Sequence, residues 1–154
     1  MLGVTTADCA PVLLADPKAG VHRSRPCRLA WRQGRHPRGD RGGHVSARGD
    51  ARRTIAAIGP CIAVASYEVG AEFEAAFLET EPASRRFFQG MAAGRRHFDL
   101  AGFCADRLAQ AGVGTVERLD RDTCAEAANY FSYRRATLNG ERHFGLQVAA
   151  ITRS

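Results

Sequence analysis

Near the start of the chain, an aspartate and a cysteine precede a strongly apolar run. The tetrapeptide TADC (6–9) lies beside PVLLA (11–15), which has the length and composition of a buried strand. A thiolate at a strand end can ligate a metal or attack a substrate. The alternative is a small apolar cysteine beside an aspartate that forms a turn. The stretch GPCI (59–62) is similar, and by itself it indicates a tight turn after a strand.

Aromatic and guanidinium side chains are combined in YFSYRR (130–135). This combination suits an element that stacks on a purine or contacts phosphate, because a guanidinium pairs with phosphate oxygens. The alternative is an edge strand with solvated arginines. We expect structural roles for His97 and His143, since no acid or second histidine lies at ligand spacing from either.

The composition excludes some classes of protein. The chain has 154 residues, enough for one domain with a core, and 45% of them are hydrophobic. No run of about 18 apolar residues occurs, and no basic region precedes the first apolar run, so neither a membrane span nor a signal peptide is expected. The cysteines are odd in number and form no CxxC pair, which indicates a reducing compartment and predicts a cytoplasmic protein; they are Cys9, Cys27, Cys61, Cys104 and Cys124.

Strands and helices alternate in the sequence pattern, which favours an α/β or α+β class. Strands are predicted as two short pieces within 3–15, then at 54–62, 115–119 and 144–151. One helix is predicted over 66–79 with Ser66 as its N-cap, because apolar side chains fall on one face. A second is predicted over 99–112, with Asp99 as its cap and Gly112 just beyond its last turn.

One segment does not fit this alternation. Residues 22–53 carry ten arginines and two aspartates, whereas the rest of the chain carries twelve basic and fourteen acidic residues. The net charge of +6 therefore belongs to this segment alone. A nucleic-acid-binding arm, a disordered linker and a stretch of non-native sequence are the three interpretations.

Four separated motifs together resemble one family. TADCAPVLLADP (6–17), AAIGPCI (56–62) followed by SYEVG (66–70), HFDL (97–100) and FSYRR (131–135) match the laccase-domain family in sequence and spacing. That family is also described as polyphenol-oxidase-like proteins, peptidoglycan editing factors and zinc-dependent purine nucleoside phosphorylases. The resemblance covers residues 3–20 and about 47–154, and it implies an α/β/α sandwich of three layers with a mixed sheet, incomplete relative to the family, in a single domain over 1–154.

The resemblance implies a zinc-dependent purine nucleoside phosphorylase with adenosine deaminase activity, with phosphate as co-substrate and a purine nucleoside as substrate. The alternatives are a copper-dependent polyphenol oxidase, an editing hydrolase of peptidoglycan precursors, and an inactive fragment. One motif cysteine without clustered histidines does not suffice for a multicopper centre. No nucleic-acid or membrane partner is implied, and the oligomeric state is left open.

By motif position, Cys9 is the metal-ligating cysteine and Asp8 is a catalytic acid or a residue that orients a ligand. Cys61 is expected to line the pocket, and Tyr133 and Arg134 to contact the nucleoside or the phosphate. In the family the metal is held by one cysteine and two histidines. One of these histidines belongs to an HAGWRG motif that this chain lacks, and the other belongs to an N-terminal half that we expect to have been lost.

A frameshift in the coding sequence would explain the arginine-rich segment. Residues 21–45, spelled in GC-rich codons and read after removal of one base, give VIAAAHAGWRGGKGGILEATVAAM, which contains the missing family motif. The hypothesis is a frameshift between about residues 22 and 46, which makes a nucleic-acid arm the less favoured interpretation. As written, this segment is expected to be irregular, without a strand after Val21, because it is rich in glycine and proline.

Overall fold

The computed structural model describes residues 1–27, 50–90 and 95–152, and it describes the backbone alone for 21–23 and 25–27. The frameshift hypothesis therefore falls largely on residues outside the described ones. The strands are β1 (Leu2–Thr6), β2 (Ala10–Asp16), β3 (Val21–Cys27), β4 (Ile55–Ile58), β5 (Glu68–Val69), β6 (Phe88–Gly90), β7 (Arg96–Phe98), β8 (Thr115–Arg118) and β9 (Gln147–Ile151). The helices are α1 (Ala71–Thr80), α2 (Leu100–Gln110) and α3 (Tyr133–Leu138), with 3₁₀ turns at Ala51–Arg53 and Pro82–Phe87.

The strands form mixed and antiparallel sheets. The largest sheet has the order β3-β2-β4-β8, in which β4 and β8 are parallel and the other pairs antiparallel. β1 pairs with β9, and β7 lies between β5 and β6. The predicted α/β class with a mixed sheet is confirmed. β2 is central because its sequence APVLLAD is buried at almost every position, as an interior strand requires.

The expectation that no strand would follow Val21 is wrong. β3 continues to Cys27 and pairs with β2 along its whole length, from Asp16 opposite Val21 to Ala10 opposite Cys27. The ladder uses main-chain groups, so polar side chains do not prevent it. Because β3 is an edge strand, it also tolerates a proline, which lies at Pro26.

The first predicted helix begins later than expected, and Ser66 does not cap it. α1 starts at Ala71 after Gly70, and the preceding residues Glu68–Val69 pair with β7 instead. The Ser66 hydroxyl donates to Asp122 Oδ2 at 2.6 Å, so a tertiary contact uses the group that would have capped the helix.

The second predicted helix is confirmed. Asp99 caps α2 by accepting a hydrogen bond from Gly102 N at 2.8 Å, and Gly112 follows the helix with a φ of 80°. α2 contributes Phe103 to an aromatic core centred on Phe98, which is fully buried. The Phe98 ring centroid lies 4.8 Å from that of Phe88 in a tilted arrangement, and Tyr67 and Phe73 meet the Phe98 ring edge to face.

Two C-terminal predictions are modified. YFSYRR does not form an edge strand, because Ser132 accepts a hydrogen bond from Arg135 N at 3.1 Å and caps α3. The last predicted strand is confirmed over Gln147–Ile151, without its first three residues. Among the residues that the structure describes, no helix has the length and apolar character needed to cross a membrane.

Candidate functional site

Asp8 and Cys9 lie in the turn where the chain passes from one sheet to another. β1 belongs to the sheet with β9, and β2 to the four-stranded sheet, so this turn joins the two. Asp8 has a φ of 78°, in the left-handed region that few residues other than glycine adopt, although aspartate tolerates it. Asp8 is buried and Cys9 is half-buried. The backbone conformation of this turn therefore fixes the position of Cys9 between β1 and β2.

The Asp8 carboxylate joins three distant parts of the sequence, and we call it the Asp8 node. Oδ1 accepts a hydrogen bond from Thr123 Oγ1 at 2.6 Å. Oδ2 accepts two, from Ser132 Oγ at 3.0 Å and from Arg134 N at 2.7 Å. The node thus brings TADC and FSYRR together in the folded chain.

Cys61 lies on the core side of the Asp8 node. It is 4% exposed and belongs to the hydrophobic core. The next residue, Ile62, donates its N–H to the Asp8 carbonyl oxygen at 3.0 Å, and Thr123 N donates to the Cys61 carbonyl oxygen at 3.0 Å. The main chain around Cys61 therefore supports the Asp8 turn from the core side.

Arg135 has a role that the sequence does not reveal. Its guanidinium donates to three carbonyl oxygens, those of Thr123 at 2.7 Å, Cys124 at 2.9 Å and Tyr130 at 2.6 Å. These bonds use three of the five N–H donors of the guanidinium and hold the loop before α3 in place. Nothing in the motif FSYRR distinguishes this arginine from its neighbour, since the distinction arises from the path of the loop.

Arg134 and Tyr67 contact each other next to the Asp8 node. Arg134 donates to the Glu68 carbonyl oxygen at 2.9 Å, and its guanidinium carbon lies 5.5 Å from the centroid of the Tyr67 ring. Burial raises the pKa of the Tyr67 hydroxyl, Arg134 opposes this rise, and the charges of Cys9 and Asp8 add to it. Sequence reasoning missed Tyr67, although it stands in the SYEVG motif, because the motif does not show that the Arg134 guanidinium lies over this ring.

An open cleft of about 330 Å³ adjoins the Asp8 node through Ser132. Its lining residues are Phe131, Ser132, Arg135, Ala136, Glu141, His143, Phe144 and Gly145. Tyr133 lies outside this lining and is 55% exposed, with its ring centroid 5.1 Å from that of Phe144. The cleft is at the lower end of the volumes found for small-molecule sites.

The described residues do not make a complete zinc site. Among the side chains that the structure describes, which leave out those of 21–23 and 25–27, no three histidine, cysteine, aspartate or glutamate residues are grouped to hold a metal. His97 is buried with Nδ1 2.7 Å from the Val64 carbonyl oxygen, in agreement with a structural role. Cys9 is thus one candidate ligand. His36 and His44 fall outside the described residues, as does the side chain of His22.

Comparison with known proteins identifies relatives over most of the chain. Residues 44–154 match the family model described as multi-copper polyphenol oxidoreductase laccase. A purine nucleoside phosphorylase of Deinococcus radiodurans is 37% identical over 139 residues, which are 88% of this chain and 51% of that protein. Adenosine deaminase RL5, from an unknown prokaryotic organism, is 30% identical over 149 residues, which are 94% of this chain and 56% of that protein.

The fold is also similar to a solved structure. YlmD from Geobacillus stearothermophilus superposes with a TM-score of 0.69 at 22% identity, over 95% of this chain and 55% of that one. This chain therefore spans about half the length of the relatives that it matches.

Proposed function

Since this chain belongs to the family described as multi-copper polyphenol oxidoreductase laccase, we propose that it is a purine nucleoside phosphorylase with adenosine deaminase activity whose site includes Cys9. One observation carries the proposal. The Asp8 node joins the motif TADC, which contains Cys9, to the motif FSYRR. The Arg134 side chain lies against the Tyr67 ring next to this node. The Deinococcus relative is named a purine nucleoside phosphorylase and RL5 an adenosine deaminase, which supports purine nucleosides as the substrate class.

Phosphorolysis of a purine nucleoside breaks the bond between ribose C1′ and the base and forms a bond from C1′ to a phosphate oxygen. The base leaves with the bonding electrons and takes up a proton. The reaction thus needs positive charge that holds phosphate and a group that assists the leaving base. We assign the positive charge to Arg134, because the Arg135 guanidinium is bonded to three carbonyl oxygens. Tyr133 and the cleft beside Ser132 are the candidates for contact with the nucleoside.

Asp8 orients the site in this proposal and does not act as the acid. Both carboxylate oxygens accept hydrogen bonds from Thr123, Ser132 and Arg134 N, so the group is engaged before any substrate arrives. Zinc is the cofactor that the family resemblance implies, with copper as the alternative, and it would activate a water for deamination. The described residues hold no group of three ligands around Cys9, so we assign no reaction step to such a metal.

The test is an assay of the full chain with inosine, with and without phosphate and added zinc. We expect release of hypoxanthine and ribose 1-phosphate that depends on phosphate, and conversion of adenosine to inosine. Cys9→Ala should lower both rates at least tenfold, whereas Cys104→Ala, in the buried face of α2, should retain them. Base release that is absent, or equal in the two variants, would contradict the proposal. Oxidation of a phenol with added copper would support the oxidase instead.

A further inference from the structure

The Tyr67 ring lies at the edge of the aromatic core, and its position is fixed. The main chain of Tyr67 is bonded on both sides, because its N–H donates to the Ala63 carbonyl oxygen at 2.9 Å and its carbonyl oxygen accepts from Phe98 N at 3.0 Å. The Tyr67 and Phe98 rings meet edge to face, with centroids 6.2 Å apart. Phe98 is fully buried, whereas Tyr67 is half-buried. The ring is therefore a fixed surface at the boundary between the core and solvent.

Arg134 is attached to the fold at three points. Its backbone N–H donates to Asp8 Oδ2 at 2.7 Å, and its Nη2 donates to the Glu68 carbonyl oxygen at 2.9 Å. Its guanidinium carbon lies 5.5 Å from the centroid of the Tyr67 ring, within the distance at which the ring attracts a cation. A long side chain normally loses conformational freedom when it binds a ligand. These contacts reduce that loss, because they place the guanidinium before a ligand arrives.

The two neighbouring arginines differ in the donors that they keep for a ligand. The Arg135 guanidinium donates to three carbonyl oxygens, whereas that of Arg134 donates to one among the residues that the structure describes. A guanidinium has five N–H donors in a planar fork, which fits two oxygens of a phosphate. The Glu68 carboxylate pairs with Arg95 at 3.7 Å, which reduces its repulsion of an anion. Arg134 therefore keeps donors that suit a tetrahedral oxyanion.

We propose that Tyr67 is a positioning residue for phosphate, whose ring holds the Arg134 guanidinium in the orientation that binds the co-substrate. This role rests on the proposed function, in which Arg134 holds phosphate. Burial raises the pKa of the Tyr67 hydroxyl, so the ring stays neutral and adds no negative charge beside an anion. The role belongs to the ring and not to the hydroxyl, because the guanidinium lies over the ring.

Phosphate binding tests the proposal without requiring turnover. The affinity of the full chain for inorganic phosphate is measured by isothermal titration calorimetry, and the KM for phosphate is measured in the inosine assay. Arg134→Gln should weaken binding roughly tenfold or more, because charge-assisted hydrogen bonds are lost. Tyr67→Leu should weaken binding about two- to fivefold, the loss expected for one exposed cation–π contact, and should raise KM by the same factor without lowering kcat. Tyr67→Phe keeps the ring and should restore the affinity of the parent.

Phe88→Leu is the matched control for damage to the aromatic core. Phe88 is also half-buried, and its ring centroid lies 4.8 Å from that of Phe98, but its other ring contacts are with Phe73 and Phe77. This variant should lose thermal stability, as Tyr67→Leu does, and still bind phosphate as the parent does. AMP is titrated beside inorganic phosphate, because the phosphate group of a nucleotide offers the same chemistry to Arg134.

Four results would overturn the positioning role. They are a parent chain that binds no phosphate, a loss of affinity in Tyr67→Leu no larger than in Phe88→Leu, a loss in Tyr67→Phe as large as in Tyr67→Leu, and binding of AMP without binding of inorganic phosphate. The third would assign the effect to the hydroxyl, and the fourth would assign Arg134 to a nucleotide. Phosphate binding that changes as expected in these variants, without cleavage of inosine, would support the role of Tyr67 and contradict the proposed function.

Discussion

Replacing Asp8 by alanine should destabilise the fold more than any other single substitution in the turn that carries Cys9. The carboxylate accepts hydrogen bonds from Thr123 Oγ1, Ser132 Oγ and Arg134 N at 2.6–3.0 Å. Thr123 is 0% exposed and Ser132 is 3% exposed, so water does not readily replace the lost acceptor. Alanine at a φ of 78° adds backbone strain that aspartate tolerates better.

The magnitude follows from these contacts. A hydrogen bond to a charged group contributes about 1.5–3 kcal/mol, and hydroxyl donors can rotate toward other acceptors, which reduces the sum. We therefore expect Asp8→Ala to lower the free energy of unfolding by about 3–5 kcal/mol. For a chain of this length, that corresponds to a fall in Tm of roughly 6–20 °C.

The measurement is chemical denaturation of the two variants Asp8→Ala and Asp120→Ala beside the parent. Asp120 is the matched control, because it also has a positive φ, of 47°, but its side chain is 64% exposed and pairs with the neighbouring Arg118. Asp120→Ala should cost about 1 kcal/mol, mostly from the backbone. Asp8→Gly removes the same hydrogen bonds without the strain, and should be milder than Asp8→Ala by about 1 kcal/mol.

Equal losses in Asp8→Ala and Asp120→Ala would refute the reasoning, since the buried hydrogen bonds would then contribute nothing beyond the backbone conformation. A loss in Asp8→Gly below about 1 kcal/mol would refute it too. A further result follows for the site: Cys9 should react faster with iodoacetamide in Asp8→Gly than in the parent, because the turn no longer holds the half-buried thiol in place.

Two other predictions concern acid stability and the core. Hydrogen bonds from the N–H groups of Asp50 and Ala19, together with Arg53, lower the pKa of Asp16 from 3.8 to about 2. The stability that Asp16 contributes is thus complete above about pH 4 and is lost as the pH falls toward 2. Between these pH values, the Tm of the parent should therefore fall more steeply than that of Asp16→Asn. Parallel curves of Tm against pH would contradict this. Phe98→Ala should cost about 3–5 kcal/mol in denaturant unfolding, because its fully buried ring contacts several others, whereas the half-exposed Phe131→Ala should cost below about 1 kcal/mol. Similar losses in these two phenylalanine variants would show that the aromatic core is not centred on Phe98.

The elements that local sequence specifies agree best with the structure. Asp99 and Gly112 bound α2 as predicted, because capping and the left-handed conformation act within a few residues. The apolar run PVLLA forms β2 for a similar reason. Ser66 failed as a predicted cap because its hydroxyl contacts Asp122, which is 56 residues away in the sequence. Arginine-rich sequence after Val21 likewise forms a strand, because β2 offers it a ladder of main-chain groups.

The sequence alone determined the motifs and therefore the family, since TADC, GPCI and FSYRR are recognised as residues in order and need no geometry. Only the tertiary structure decided what each side chain does. It engaged the Asp8 carboxylate with three donors, and it assigned Arg135 to carbonyl oxygens and Arg134 to the neighbourhood of Tyr67. The physical reason is that a hydrogen bond or a buried surface depends on which distant groups meet. Arg134 and Arg135 are adjacent and have the same chemistry, but the path of the loop before α3 gives each of them different partners.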